Sequence, residues 1–263
     1  MGEILGHQIP GAEAVNEAWK RAFEERLAVL GAGTDAGTPE RLARYHAMLC
    51  EWNERMNLTG DTDFSVALDR HYMDSLAPLR LEGAFGFGAR VIDVGSGAGF
   101  PGLPLAIARP DLRVTLLDAL GKRVNFLRAV TQALELENVS VIHARAEDGA
   151  RDPALRERFD LAVARAVAPL PVLCELLLPF VAVGGRMLCY KGPSATEELA
   201  GGARAARLVG GGVPEALAVE VPGRPDWRHV VIVCRKEAKT VRQYPRKAGT
   251  PGRAPLGAED KKA

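Results

Sequence analysis

An acid, four glycines and a proline stand close together in the run Val91-Ile-Asp93-Val-Gly95-Ser-Gly97-Ala-Gly99-Phe100-Pro101-Gly102. An apolar stretch closes on the carboxylate of Asp93, and glycine then recurs at every second position. Glycine turns sharply and lets a ligand approach the backbone, because no Cβ stands in the way. Pro101 suits the first turn of a helix, where its missing N–H costs nothing. Strand, tight turn and helix in that order predict a nucleotide-type pocket at the carboxyl end of a sheet. Charge decides which ligand fits. A pyrophosphate seeks the positive end of the helix, and a carboxylate two residues before the first glycine repels it. S-adenosylmethionine carries an ammonium and a sulfonium, and gains from the same carboxylate. A second apolar stretch, 114–117, ends in Asp118, whose oxygens can accept from both hydroxyls of a ribose. NAD would use Asp118 in the same way, so Asp93 alone separates the two cofactors. Gly97-x-Gly99-x-x-Gly102 also fits the dinucleotide fingerprint, which by itself discriminates little.

These groups need elements to hold them. Apolar residues at helical spacing predict a helix over 12–30, carrying Val15, Trp19, Phe23, Leu27 and Leu30. A second begins with Thr38 as N-cap and Pro39 at its first position, and carries Leu42, Tyr45, His46, Leu49 and Trp52. A third spans 64–79, with His71, Asp74 and Ser75 on one face, read as a packing face with His71 hydrogen-bonded. From residue 89 onward strands alternate with helices. Strands are expected at 90–94, 113–118, 138–143, 159–164, 184–190, 215–221 and 228–235, and helices at 101–109, 122–136, 169–180 and 194–208. This alternation predicts a doubly wound, mostly parallel sheet. Only the turn Pro222-Gly-Arg-Pro-Asp226 separates the last two strands, so they should form an antiparallel hairpin.

At this point the chain resembles a known family, the bacterial glucose-inhibited division protein B family of 16S ribosomal RNA (guanine-N7) methyltransferases. The likeness runs from about Asn53 to Leu256. It is carried by Asn57-Leu58-Thr59, His71-Tyr-Met-Asp74-Ser75-Leu76, the glycine run above, and Leu117-Asp118-Ala119-Leu120-Gly-Lys122-Arg123. Ala164-Arg165-Ala-Val-Ala-Pro169-Leu170, Lys191-Gly192 and Tyr244-Pro245-Arg246-Lys247 complete it. The set in this order is specific, whereas no member is so alone. The resemblance implies an α/β class I S-adenosylmethionine-dependent methyltransferase (Rossmann-like) fold. That fold has a seven-stranded sheet, a C-terminal antiparallel hairpin and an N-terminal helical extension. It implies S-adenosylmethionine as cofactor and methyl transfer to N7 of a guanine in the decoding-region loop of 16S rRNA. It also places Ala146 and Glu147, after the third strand, near the adenine ring, alongside Asp93, Gly95, Gly97, Phe100, Asp118, Ala119, Leu120 and Arg165 as cofactor residues.

Attack by guanine N7 on a sulfonium methyl needs no general base, because that lone pair lies in the ring plane and carries no proton. Holding base and methyl together can supply roughly 7–11 kcal/mol. A donor to O6 or a nearby anion would stabilise the charge that moves onto the guanine. Arg165, after the fourth strand, is the candidate to position cofactor and guanine, since a guanidinium can stack on a base or donate to O6. A salt bridge at the sheet edge is its plainer role. Lys191 can hold a phosphate or the base, or lie along the surface with its charge in water. Asn57 either reaches over the pocket to the guanine or satisfies backbone groups at a helix end. Phe100 packs against cofactor or core. Arg123, Arg246 and Lys247 are expected on the RNA, together with Lys191.

Composition sets the limits. The chain has 263 residues, 47% apolar and 25% charged, with a formal net charge of +1, so no global field attracts RNA and any contact must come from local clusters. Four scattered cysteines, Cys50, Cys174, Cys189 and Cys234, fit free thiols in a reducing cytoplasm, and no metal site is expected. No leader and no bilayer-spanning run is read. The expected division is a helical cap at 1–82, the catalytic domain at 83–236, and a basic tail at 237–263. From Lys236 the tail holds eight Lys/Arg against three acids, and is expected to be extended, mobile and bound to RNA phosphates. The expected partner is the small ribosomal subunit, bound by a monomer. Ribose 2′-O transfer using Lys191, an NAD-dependent oxidoreductase and a non-catalytic ribosome-binding protein are the rival readings.

Overall fold

The computed structural model describes residues 16–31, 34–165 and 168–257. Helix α1 (Glu17–Leu30) starts where Asn16 accepts hydrogen bonds from the Ala18 and Trp19 N–H groups. Val15, expected within it, lies outside the described residues. Helix α2 (Thr38–Met56) carries Pro39 in its first turn and closes on Asn57, which adopts a left-handed backbone at φ 49°. Thr38 is its first residue rather than its cap. The Asp35 carboxylate takes the Gly37 N–H just ahead of the helix instead.

The third helix is not uniform. A short α3 (Phe64–Ala67) runs into a π-helical turn (Leu68–Met73), then α4 (Asp74–Leu76), then a 3-10 turn (Ala77–Arg80). Side-chain periodicity does not distinguish these windings. π-Turns are frequent at functional sites, and this one carries His71 and leads directly to Asp74.

Strand–helix alternation then follows the expected spacing. The elements are β1 (Arg90–Val94), α5 (Gly102–Ala108), β2 (Arg113–Asp118), α6 (Gly121–Ala133), β3 (Val139–His143), α7 (Ala146–Gly149), β4 (Phe159–Arg165), α8 (Leu170–Leu177), β5 (Val181–Lys191), α9 (Leu199–Leu208), β6 (Glu215–Val221), β7 (Arg224–Arg235) and α10 (Thr250–Arg253). The seven strands lie in the order β3-β2-β1-β4-β5-β7-β6. The first five pair in parallel, while β7 runs antiparallel between β5 and β6. Strand order reverses between β1 and β4, and a sheet of this kind opens its binding crevice at such a switch point.

Alternate strand residues feed two cores, one on each face of the sheet. Val91, Val114, Leu116, Leu161 and Val163 pack under α1, α2, α5 and α6, together with Phe23, Tyr45, Tyr72 and Phe126. Ile92, Val94, Ala162, Cys189 and Ile232 pack under α8 and α9. The N-terminal helices therefore share a core with the sheet instead of forming a separate body.

The C-terminal segment overturns an expectation. Residues 237–257 are not extended and mobile but pack along the second face. Lys236 is fully buried, donating to the carbonyls of Leu178 and Val209 and to Thr240, and burial pushes its pKa down to about 8. Arg156 holds the Thr240 and Tyr244 carbonyls, and Pro251 and Leu256 are buried. Charge composition predicted a solvated tail, and it misled because proline and leucine anchor what the basic residues suggested was free. Residues 258–263 lie outside the described residues.

Candidate active site

Two cavities meet at the carboxyl edge of the sheet, and Arg165 lines both. The first, of about 470 Å³, is walled by Gly95, Ser96, Gly97, Ala98, Phe100, Asp118, Ala119, Leu120, Arg123 and Arg165, with Leu58 and Thr59 above.

Its floor is the glycine turn. Gly97 has φ 59° and Gly99 φ 99°, backbone that side-chain-bearing residues rarely adopt. A Cβ on Gly99 would lie 2.4 Å from Leu103 Cδ1 and 2.7 Å from the Tyr45 hydroxyl, so this glycine is needed for space as well as for angle. Tyr45 donates its hydroxyl to the Ala98 carbonyl, which ties α2 to the turn. A Cβ on Gly97 would meet only Gly95 O, at 3.8 Å, so that position faces open space where a ligand can lie.

Asp118 sits at the end of β2 with both oxygens engaged. Oδ2 accepts from Gly97 N–H and Oδ1 from Leu120 N–H, each at 2.8 Å, and Arg123 stands 3.8 Å away. A carboxylate oxygen accepts more than one hydrogen bond, so capacity for a diol remains.

Asp93 departs most from its expected place. Its carboxylate does not line the cavity. It is buried beneath the turn, and Oδ2 accepts from Gly102 N–H at 3.0 Å at the start of α5. Sequence order fixed the acid beside the glycines, but the side-chain direction follows the nearest unsatisfied N–H group. Burial raises its pKa to about 7 from an ordinary 3.8. The folded protein therefore keeps a proton that the unfolded chain releases between about pH 4 and 7, and this group makes stability fall as pH rises through that window. Asp93→Asn should remove that slope and keep the contact to Gly102 through its amide oxygen. Urea midpoints for both proteins from pH 4 to 8 provide the check. Parallel curves would show that burial does not perturb Asp93.

Phe100 is mostly core, 6% exposed, in contact with Tyr45, Tyr72 and His71, and the Arg165 guanidinium lies 4.9 Å from its ring centre. Arg165 also donates to the Arg70 and His71 carbonyls and, at 3.3 Å, to Asp74 Oδ2. Its planar fork thus bridges the end of β4 to the π-turn, between the two cavities.

The second cavity, of about 710 Å³, is bounded by Arg70, His71, Asp74, Arg165, Tyr190, Lys191, Asp226, Trp227 and His229. Lys191 is present but not free. Its ammonium donates to both Glu198 oxygens at 3.0 Å and to the Ala168 carbonyl. His71 Nε2 lies 3.1 Å from the Thr59 hydroxyl, and burial, reinforced by the Arg165 charge, lowers its pKa.

Several expected residues lie elsewhere. Glu147 is buried and accepts from Gly249 N–H, so its side chain anchors the C-terminal segment instead of facing an adenine, and neither it nor Ala146 lines the first cavity. Arg246, expected on the RNA, is half-buried with its side chain engaged inside the protein. Its guanidinium grips the fully buried Glu175 and the Ala254 carbonyl. Lys247 is exposed. Asn57 stands exposed at the rim, where its left-handed cap turns Leu58 and Thr59 over the first cavity.

The sequence reading missed Trp227 and His229 as site residues, placed Asp226 only in a turn, and favoured packing over substrate contact for Asp74. Trp227 and His229 are two apart on β7, hence on one face of the hairpin, and stack with ring centres 5.0 Å apart. An aromatic-x-histidine pair on an edge hairpin was the available signal.

The chain matches the family model described as rRNA small subunit methyltransferase G over residues 38–220. It is 44% identical over 237 residues to the ribosomal RNA small subunit methyltransferase G of Alkaliphilus metalliredigens, covering 90% of this chain and 98% of that one. To the protein of the same name from Lactobacillus delbrueckii subsp. bulgaricus it is 46% identical over 235 residues, 89% of this chain and 98% of the other. The fold is also similar to a chain of the Haloferax volcanii complex between the Trm112 methyltransferase activator and a methyltransferase. There the TM-score is 0.50 at 16% identity, covering 74% of this chain and 98% of that one.

Proposed function

Because the chain belongs to the rRNA small subunit methyltransferase G family, we propose that it transfers a methyl group from S-adenosylmethionine to N7 of a guanine in the decoding-region loop of 16S rRNA. The observation that carries this reading is the pair of cavities joined at Arg165, one above the glycine turn and one walled by aromatic and charged groups.

S-adenosylmethionine supplies the methyl as a substituent of its sulfonium. Gly95, Gly97, Asp118, Ala119 and Leu120 would hold it, with Phe100 and Arg165 at the reacting end. Asp93 contributes from beneath by fixing the turn, and Ala146 and Glu147 follow β3 and Ala144, whose N–H donates to the Asp118 carbonyl. In the second cavity Arg165 orients the base and can donate to O6. Lys191 acts there through Glu198, and Asn57 closes the rim. Arg123, Lys247 and the exposed Arg70 offer charge to phosphates, a term that strengthens binding without reading sequence. The division at residues 82 and 236 is kept as a functional one, in which the helical cap covers a catalytic domain. The protein acts as a monomer in the cytoplasm, where its substrate is assembled.

Ribose 2′-O transfer, which has a hydroxyl to activate and recruits a lysine with carboxylate partners, is disfavoured because β4 ends in Arg165 rather than in an acid. The test is to incubate small subunits lacking the modification with methyl-labelled cofactor and map the label. Label on a guanine N7 is expected, whereas label on a ribose or none at all would overturn the reading.

A further inference from the structure

His229 and Asp74 have no role in the transfer as described so far. They come from distant parts of the chain, β7 and α4, and meet at 2.7 Å, with His229 Nδ1–H donating to Asp74 Oδ1. The other oxygen of Asp74 accepts from Arg165. One carboxylate therefore orients both the arginine between the cavities and a histidine on the wall of the second. The His229 ring is also held by its stack on Trp227, at 22° between planes, and Arg224 covers Trp227 at 5.3 Å while bonding Asp69 on the π-turn. Asp69 and Asp74 thus fasten the hairpin to the helical cap at two points. An imidazole whose tautomer is fixed by a carboxylate and whose plane is fixed by an indole is preorganised well beyond the needs of packing.

In the neutral ring with its proton on Nδ1, Nε2 is an acceptor, and it has no partner among the described residues. We propose that His229 Nε2 accepts the N1–H of the target guanine, and that Asp74 is the positioning residue that keeps His229 in the accepting tautomer while holding Arg165. This rests on the reading given under Proposed function and names the feature of the base that is recognised. Guanine presents a donor at N1, whereas adenine presents a lone pair there and is rejected by an acceptor. When N7 gains the methyl, positive charge spreads over the purine and N1–H becomes a stronger donor. The hydrogen bond to Nε2 therefore tightens as the charge develops, which favours the transition state over the ground state.

The test uses the full chain and small subunits reconstituted with either guanine or 1-deazaguanine at the modified position. 1-Deazaguanine keeps N7, O6 and the 2-amino group but carries a C–H in place of N1–H, so contacts to O6 are common to both substrates. The wild type should prefer guanine by about 10- to 100-fold in kcat/KM. In His229→Ala that preference should narrow about tenfold. In Asp74→Asn, whose amide can donate to Nδ1 and shift the proton to Nε2, it should narrow as far or further. Calorimetric titration with S-adenosylmethionine reports whether each variant keeps its first cavity, and if His229→Ala fails to fold, Asp74→Asn provides the same comparison. A purely structural role would lower both substrates together, so an unchanged preference overturns the proposal. No transfer by the wild type to guanine subunits overturns the parent reading and this assignment with it.

Discussion

Arg165→Ala should reduce kcat/KM for methyl transfer by about 10²- to 10³-fold, the cost seen when one preorganised donor is removed from a water-poor site. The variant loses the contact with the face of Phe100, two carbonyl contacts on the π-turn, and one of the two partners of Asp74. Arg165→Lys should recover little of this, because an ammonium cannot span the end of β4, the Asp74 carboxylate and an aromatic face at once. The loss should fall on kcat as well as KM, since Arg165 lies against both cavities. Steady-state kinetics on small subunits, with melting temperature as a control for folding, decide the matter. Activity within about threefold of the parent would remove Arg165 from the site.

Arg246→Ala should destabilise the protein by about 3 kcal/mol and leave the salt dependence of RNA binding unchanged. Glu175 is fully buried on α8, and Arg246 satisfies both its oxygens. Removing the guanidinium leaves a buried carboxylate with the Arg246 backbone N–H but without its counter-charge, which costs more than the pair contributes when intact. Arg246→Ala combined with Glu175→Leu should regain much of the loss, because no charge then remains to be solvated. Urea midpoints give the stability, and binding measured across a salt series gives the slope. A flatter slope with unchanged stability would return Arg246 to the RNA surface where its charge first placed it.

The contrast between these two arginines shows how far the residues alone could carry a reading. Both lie in motifs that resemble the family, and both are cations of the kind expected to meet RNA. Arg165 follows a strand end, and strand ends at a switch point are fixed by topology, so its location was legible. Arg246 directly follows Pro245 in a segment whose course depends on Glu175, 71 residues earlier. No local pattern reports a partner at that distance. Asp93 and Glu147 show the same limit, with partners 9 and 102 residues away. Their backbone positions were legible, but their carboxylates turn to Gly102 N–H and Gly249 N–H, away from the first cavity. Asp74 was placed on the correct helix, but its partners Arg165 and His229 come from β4 and β7.

Period-2 and period-3.6 patterning, glycine spacing and turn chemistry by themselves determined the seven strands, their alternation with helices, the closing hairpin and the turn beneath the first cavity, because each depends on neighbours a few residues apart. Only the tertiary structure decided which charges face a ligand and which are spent on the protein. A side chain turns toward whichever unsatisfied group is nearest in space, and that group often belongs to a distant part of the chain.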